Sequence, residues 1–165
     1  MKLRQLQEKD APLMLEWMHD ESVTRYLCTD FAAKTIEDCR TFIEESHNMQ
    51  EHMHFAVTDD EDVYMGTVSL KHIDRGRHSA EFAVSMRSCA RGHGYSTYGM
   101  RELLRMGMEE QGLKDIYWCV TESNRRAIQF YDKNGYARTR DVPEYIASVY
   151  TKEQQAEFIW YHIAG

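Results

Sequence analysis

The sequence predicts one α/β domain: a mixed central β-sheet with helices on both faces. At 165 residues the chain has the ordinary length of a single domain, with enough sequence to bury a core. Strand-like runs dominate its first half, and strand and helix patterns alternate in its second. No repeat, low-complexity tract or Pro/Gly/Ser linker interrupts it, the only prolines being Pro12 and Pro143, so residues 1–165 are expected to form one domain.

Leu3-Arg4-Gln5-Leu6 reads as a short first strand, after which Asp10 is placed to cap a helix carrying Leu13, Met14, Trp17 and Met18 at helical spacing. A second helix is predicted from Thr35, where Ile36, Cys39, Phe42 and Ile43 form one stripe and Thr35 with Asp38 resembles a capping box. His54–Val57 and Val63–Leu70 read as a hairpin joined by the acidic turn Asp59-Asp60-Glu61-Asp62. After the turn Asp74-Arg75-Gly76-Arg77, Ala80–Val84 forms another strand. A helix over 94–110, a strand over 115–120, a helix over 124–133 and a last strand over 158–163 complete the pattern. That order implies an antiparallel meander followed by a parallel β-α-β crossover from Ala80 to Val120. Around 145–155 a strand and an excursion of loop or short helix fit equally well.

Twenty Lys and Arg against twenty-seven Asp and Glu leave a formal charge of −7, which disfavours binding to nucleic-acid backbones or anionic lipid. No apolar run approaches the roughly 18 residues of a spanning helix, and the first ten residues carry charges where a signal peptide needs an apolar core. Cys28, Cys39, Cys89 and Cys119 are far apart, with no Cys-x-x-Cys, which suggests reduced thiols in a cytoplasmic protein. The eight histidines show no compact spacing with carboxylates that would suggest a metal site.

The segment richest in chemistry is Arg91-Gly92-His93-Gly94-Tyr95-Ser96-Thr97, where a strand ends and an amphipathic helix begins. Two glycines permit a tight turn with outward-facing amides, and the helix dipole adds partial positive charge at the same place. That combination suits a phosphate group. The sequence contains neither a Gly-x-x-x-x-Gly-Lys-Ser/Thr loop nor the third glycine of a dinucleotide fingerprint. In the following helix Gly99 and Gly107 suggest close packing on the sheet, since an interior glycine otherwise costs roughly 1 kcal/mol against alanine.

Phe82–Tyr136 resembles the GNAT superfamily of acyl-CoA-dependent N-acetyltransferases. Its pyrophosphate loop, Gln/Arg-x-x-Gly-x-Gly/Ala, is matched by Cys89-Ala90-Arg91-Gly92-His93-Gly94, with Cys89 in place of the usual Gln or Arg. The run from Asn124 through Ala127 and Tyr131 to Gly135-Tyr136 is similar to the family's Asn-x-x-Ala-x-x-x-Tyr-x-x-x-Gly-Phe/Tyr segment. The opening residues and the stretch from Trp17 to Leu27 resemble the ribosomal-protein and spermidine acetyltransferase branches.

The resemblance implies a GNAT-like fold, acetyl-CoA as cosubstrate, no metal, and direct attack by an amine in a ternary complex. It implies that main-chain groups of Val84 and Met86 pair with the pantetheine arm, and that one of their amides polarises the thioester carbonyl. Arg91, Gly92, His93, Gly94, Tyr95 and Ser96 would surround the diphosphate, and Asn124 would contact the pantetheine. Tyr131 would stand near the sulfur and protonate the departing thiolate, its alternative being a tyrosine packed in the core. Glu81, the only acid in an apolar strand, is the general-base candidate, and facing solvent or pairing with Arg77 is the equally weighted alternative. The acceptor is expected to be a small-molecule amine or a peptide N-terminus, the net charge mildly favouring a cationic one. A homodimer is common among similar proteins. A non-catalytic CoA-binding module is the alternative function.

Overall fold

The computed structural model describes Met1–Gly165. Its first half is built by consecutive antiparallel pairing of β1 (Lys2–Gln5), β2 (Met53–Thr58), β3 (Tyr64–Asp74) and β4 (Ser79–Met86). The connection from β4 returns parallel as β5 (Asp115–Thr121), the right distance for a helical crossover. β6 (Ala137–Thr139) and β7 (Phe158–Ala164) then complete a seven-stranded mixed sheet of order β1-β2-β3-β4-β5-β7-β6, with β7 inserted between β5 and β6.

Alternation of side chains along the strands divides the core into two layers. Val57, Val68, Leu70 and Ile116 face α4 (Tyr95–Glu109) and α5 (Arg125–Lys133), where they bury Met100, Leu103, Leu104 and Tyr131. On the opposite face Ala56 and Tyr64 meet Met14 and Trp17 of α1 (Ala11–Met18) and Cys39 and Ile43 of α3 (Ile36–Glu45). The buried Trp17 indole donates to the Tyr64 hydroxyl at 2.9 Å, which in turn shares a hydrogen bond of 2.6 Å with Thr67. The Thr35–Asp38 capping box begins α3 as the sequence predicts.

Asp10 behaves differently from its predicted role. A 3₁₀ turn over Glu8–Asp10 precedes α1, so the Asp10 carboxylate turns back to the Gln7 amide at 2.8 Å instead of capping the helix. The Arg4 guanidinium satisfies it with a bidentate pair of 2.8 and 2.9 Å, which allows an aspartate only 2% exposed. The ambiguous segment resolves as α6 (Glu144–Ala147) and α7 (Lys152–Ala156), with Ile146 of α6 fully buried. A four-residue helix, α2 (Glu21–Thr24), and the three-residue β6 are too short to leave a periodic signal. No helix is long and apolar enough to cross a membrane.

Two features of the fold position the site. The parallel ladder between β4 and β5 consists of only three pairs, Ser79 with Asp115, Ala80 with Ile116 and Glu81 with Tyr117. Beyond Glu81, β4 keeps β3 as partner through Met86 but has none on its β5 side, so the two strands part. The second feature is how closely α4 lies on the sheet. A Cβ at Gly99 would stand 2.6 Å from Val57 and 3.0 Å from Val68, and one at Gly107 would stand 2.9 Å from Leu70. Both glycines are therefore required by packing. Gly99→Ala should destabilise the protein by about 1–3 kcal/mol in chemical denaturation, because overpacking outweighs the helix propensity it gains. A stabilised variant would contradict the close approach.

Candidate active site

At the end of β4 the chain makes a 3₁₀ turn over Ser88–Ala90 and enters α4 through two left-handed residues, Gly92 at φ +77° and Gly94 at φ +84°. Open space surrounds the place a Cβ would take at Gly92, so the backbone conformation, not crowding, calls for glycine there. The Tyr98 amide, bonded to Gly94 O at 3.0 Å, is the first of the helix to find an intrahelical acceptor. The amides of Gly92, Gly94, Tyr95, Ser96 and Thr97 have no backbone acceptor. These unspent donors cluster at the positive end of the α4 dipole, which makes the turn an anion cradle.

The cradle opens on a cavity of about 900 Å³ that runs along the β4 edge beyond its last rung with β5. Val84, Ser85 and Met86 of β4 form one wall, and Asn124, Ala127, Phe130 and Tyr131 form another from α5 and its cap. The charge of this lining is one-sided. It includes Arg25, Arg91, Arg125, Arg126 and Lys133 and not one Asp or Glu, within a chain of net charge −7. Such a surface attracts a polyanion. An extended phosphorylated thioester carrier such as acetyl-CoA fits both parts: free amides and cations for its phosphates, unpaired strand edge for its amide-bearing arm.

The predicted site residues take distinct places. Gly92, Gly94, Tyr95 and Ser96 line the cavity at the cradle, whereas His93 is exposed and outside the lining. Arg91 lines it too, but its guanidinium is spent on the Ser22 carbonyl at 2.7 Å, so it braces α2 against the turn. Asn124 caps α5, its side-chain oxygen accepting from the Ala127 amide at 3.2 Å. That bond fixes the side chain at the cavity edge with its NH₂ still free to donate.

Tyr131 is 7% exposed and lines the cavity. The rings of Trp118 and Tyr161 hold it at centroid distances of 5.6 and 5.0 Å. Burial pushes its phenol above the ordinary tyrosine range, with no hydrogen bond contributing, so the hydroxyl is protonated and uncommitted.

Glu81 sits at the last rung before the strands part, and its side chain points to the face opposite α4. It is 1% exposed and outside the cavity lining. It meets neither solvent nor Arg77, which pairs instead with Asp74 at 3.0 Å. Lys71 Nζ approaches Glu81 Oε1 at 3.0 Å, and the Tyr150 hydroxyl donates to both carboxylate oxygens at 3.1 and 3.0 Å. Burial first, then neighbouring Cys119 and Glu81, hold the Tyr150 phenol well above its usual range, so it acts as donor. Tyr145 adds a second tie from the same segment, its hydroxyl 2.6 Å from Ser79 Oγ. The excursion over residues 144–156 is thus strapped to the sheet at the point of parting.

Sequence reasoning missed Lys71, Tyr150 and the unpaired cations Arg25, Arg125, Arg126 and Lys133. Only the Arg125-Arg126 pair, at a helix start in an acidic chain, carried a readable signal. His52 stacks on His54 and meets His72 edge-on, yet no group of three or more His, Cys, Asp or Glu comes together to hold a metal ion.

The pattern of the GNAT acetyltransferase domain matches residues 1–137. No curated protein sequence matches the chain. Among solved structures, it is similar to spermidine N-acetyltransferase from Vibrio cholerae in complex with CoA and spermine, at 18% identity and TM-score 0.81 over 99% of this chain and 94% of that one. A dodecameric structure of spermidine N-acetyltransferase from the same organism superposes with TM-score 0.74 at 16% identity, covering 99% and 92% of the two chains. Domain pattern, parted strands and glycine cradle agree, and the chain belongs to the GNAT family, acetyltransferases that use acetyl-CoA to acylate an amine.

Proposed function

We propose that this protein acetylates a primary amine of a small cationic acceptor of the polyamine type, by direct attack within a ternary complex, with Tyr131 as the acid and Glu81 as the acceptor-side carboxylate. The observation that carries the reading is the parting of β4 and β5 at Glu81, because it frees the β4 edge beside the cradle while the carboxylate of the last rung lies buried on the opposite face. Acetyl-CoA supplies the acyl group as an activated thioester. Everything else is done by the chain.

The cradle amides and surrounding cations hold the phosphates, leaving the carrier's arm to pair with the free edge at Val84 and Met86. Fixing the donor this way converts an encounter in solution into a reaction between held partners. A main-chain amide of that edge donates to the carbonyl oxygen as it gains charge. Tyr131, protonated and without another partner, gives its proton to the sulfur as the C–S bond breaks, and the proton that the attacking nitrogen sheds in becoming an amide restores the phenol. Glu81, held by Lys71 and Tyr150, attracts the acceptor's ammonium and takes its proton through water before attack. Burial raises the Cys28 thiol, Lys71 lowers it, and Glu81 and Glu157 raise it, so one cation and two acids stand near the same approach. With Lys71 compensating Glu81, Glu157 leaves that side net negative, which suits a cationic amine better than a neutral one.

Direct transfer is supported by the state of the thiol beside Glu81 and Tyr150. Burial pushes Cys119 up to about 12, so at neutral pH it is a thiol and not the thiolate a covalent acyl relay requires.

Tyr131→Phe should lower kcat by about 10²-fold or more while the Kd for acetyl-CoA stays within about threefold, measured by steady-state kinetics and calorimetry. Because burial raises the Tyr131 pKa, kcat should show no falling limb from this group up to about pH 10, the ordinary value of a tyrosine. Equal activity of the Phe variant would remove Tyr131 from the acid role. Glu81→Gln should lower kcat/KM for the amine by about 10²-fold without weakening acetyl-CoA binding. The acceptor panel should contain spermidine, spermine, an amino sugar and a short peptide with a free N-terminus, read by mass detection. Faster turnover of the peptide than of the polyamines would overturn the assignment of acceptor class.

A further inference from the structure

The amine that stands at Glu81 belongs to the protein itself. Lys71 of β3 and Glu81 of β4 are cross-strand partners, so their side chains rise from the same face of the sheet, opposite the neighbouring Leu70 and Phe82, which share the core with α4. Lys71 Nζ ends 3.0 Å from Glu81 Oε1. The lysine side chain is 28% exposed against 1% for the carboxylate, so one member of the pair stays within reach of water and ligands. Burial and then Glu81 raise the Cys119 thiol on β5 while Tyr150 and Lys71 lower it, so the ammonium lies near both strands where they part.

Two lysines of the chain take part in ion pairs. Lys9 meets Asp62 in the turn before β3, and only Lys71 is held on a buried carboxylate. The carboxylate does not depend on Lys71 for hydrogen bonds alone, since the Tyr150 hydroxyl already donates to both of its oxygens, at 3.1 and 3.0 Å. What Lys71 adds is a primary ammonium, the same group that an acceptor would bring to Glu81. Its four-carbon stem is flexible enough to carry Nζ from the carboxylate across β4 toward the free edge beyond the last rung.

We propose that Lys71 is a self-acetylation site: with acetyl-CoA bound and no amine present, the enzyme transfers the acetyl group to its own Lys71 Nζ. The inference rests on the acetyl-CoA reading and on Glu81 as the acceptor-side carboxylate, and adds to them a modification site. Nζ gives one proton to Glu81, which passes it to water, and the freed lone pair forms the C–N bond to the thioester carbonyl carbon. The C–S bond breaks, the sulfur keeps the electron pair and takes the Tyr131 proton, and the proton that the nitrogen sheds in becoming an amide restores the phenol. The products are an acetylated lysine and CoA with a free thiol. Holding the amine within the fold replaces an encounter in solution with an intramolecular step, so no dissolved amine is needed. The acetylated side chain carries no charge, which leaves the Glu81 carboxylate to an acceptor's ammonium.

The test treats the purified full chain with acetyl-CoA carrying an isotope-labelled acetyl group, adds no amine, and reads the label by intact mass and by peptide mass spectrometry. Label should appear at Lys71 at a first-order rate that is unchanged over about a tenfold range of protein concentration. Excess desulfo-CoA, which fills the carrier site without an acyl group, should slow labelling of Lys71 by about tenfold or more and leave the slow chemical labelling of exposed Lys114 and Lys152 unaffected. Where Lys71 is already acetylated as purified, the Tyr131→Phe chain should lack that group, and its presence on both chains would contradict the proposal. No label at Lys71 in a chain that acetylates a dissolved amine would overturn the self-acetylation and leave the proposed function intact. Label that desulfo-CoA does not suppress, or a rate rising in proportion to protein concentration, would overturn it equally. A folded chain that neither binds acetyl-CoA nor labels Lys71 would overturn both readings.

Discussion

A β-sheet is stable because neighbouring strands satisfy one another's peptide groups, and this sheet stops doing so at its centre. β4 and β5 share three rungs and then separate, with Glu81 and Tyr117 as the last pair. Central strands normally continue, since an unpaired peptide group away from water costs about as much as a lost hydrogen bond. Here the exposed edge of β4 is flanked by α5 on one side and by the glycine turn at the head of α4, so the vacated pairing sites face a cavity and not bulk solvent. The β4 edge beyond Glu81 is thereby left unpaired along the wall of a cavity.

The surrounding packing exists to hold that separation open. Gly99 and Gly107 let α4 settle against Val57, Val68 and Leu70, which sets where the helix begins and hence where its free amides point. Trp118, Tyr131 and Tyr161 form an aromatic wedge under α5 that keeps the helix, with its cap Asn124, beside the gap. On the far face Tyr145 and Tyr150 strap residues 144–156 down at Ser79 and Glu81. Each contact is ordinary alone. Together they place the Tyr131 phenol and the glycine cradle on one cavity, with the Glu81 carboxylate buried on the opposite face of the sheet.

Much of this was legible in the sequence because it is periodic or needs a rare residue. The amphipathic stripes of α1, α3 and α4, the meander and the single parallel crossover follow from hydrophobic spacing, and Gly92 and Gly94 announce left-handed backbone that few other residues adopt. The Asn124–Tyr131 spacing similarly places cap and phenol on one side of a helix. What escaped is non-local or short. Nothing near Glu81 in sequence points to Lys71 or Tyr150, because that network is assembled by cross-strand register and by a loop that returns over the sheet. α2 and β6 are shorter than the window in which periodicity has meaning, and Asp10, a plausible cap by type, is recruited by Arg4 because the preceding turn redirects it.

The account stands or falls on the five amides of Gly92, Gly94, Tyr95, Ser96 and Thr97 being donors to the carrier's diphosphate. Backbone amide resonances followed by ¹H–¹⁵N correlation during titration with CoA test this most directly. The account predicts that these five signals shift together, downfield as new hydrogen bonds form, and saturate at one common Kd. Binding of CoA that leaves all five unmoved, with the shifts concentrated elsewhere on the sheet, would contradict it.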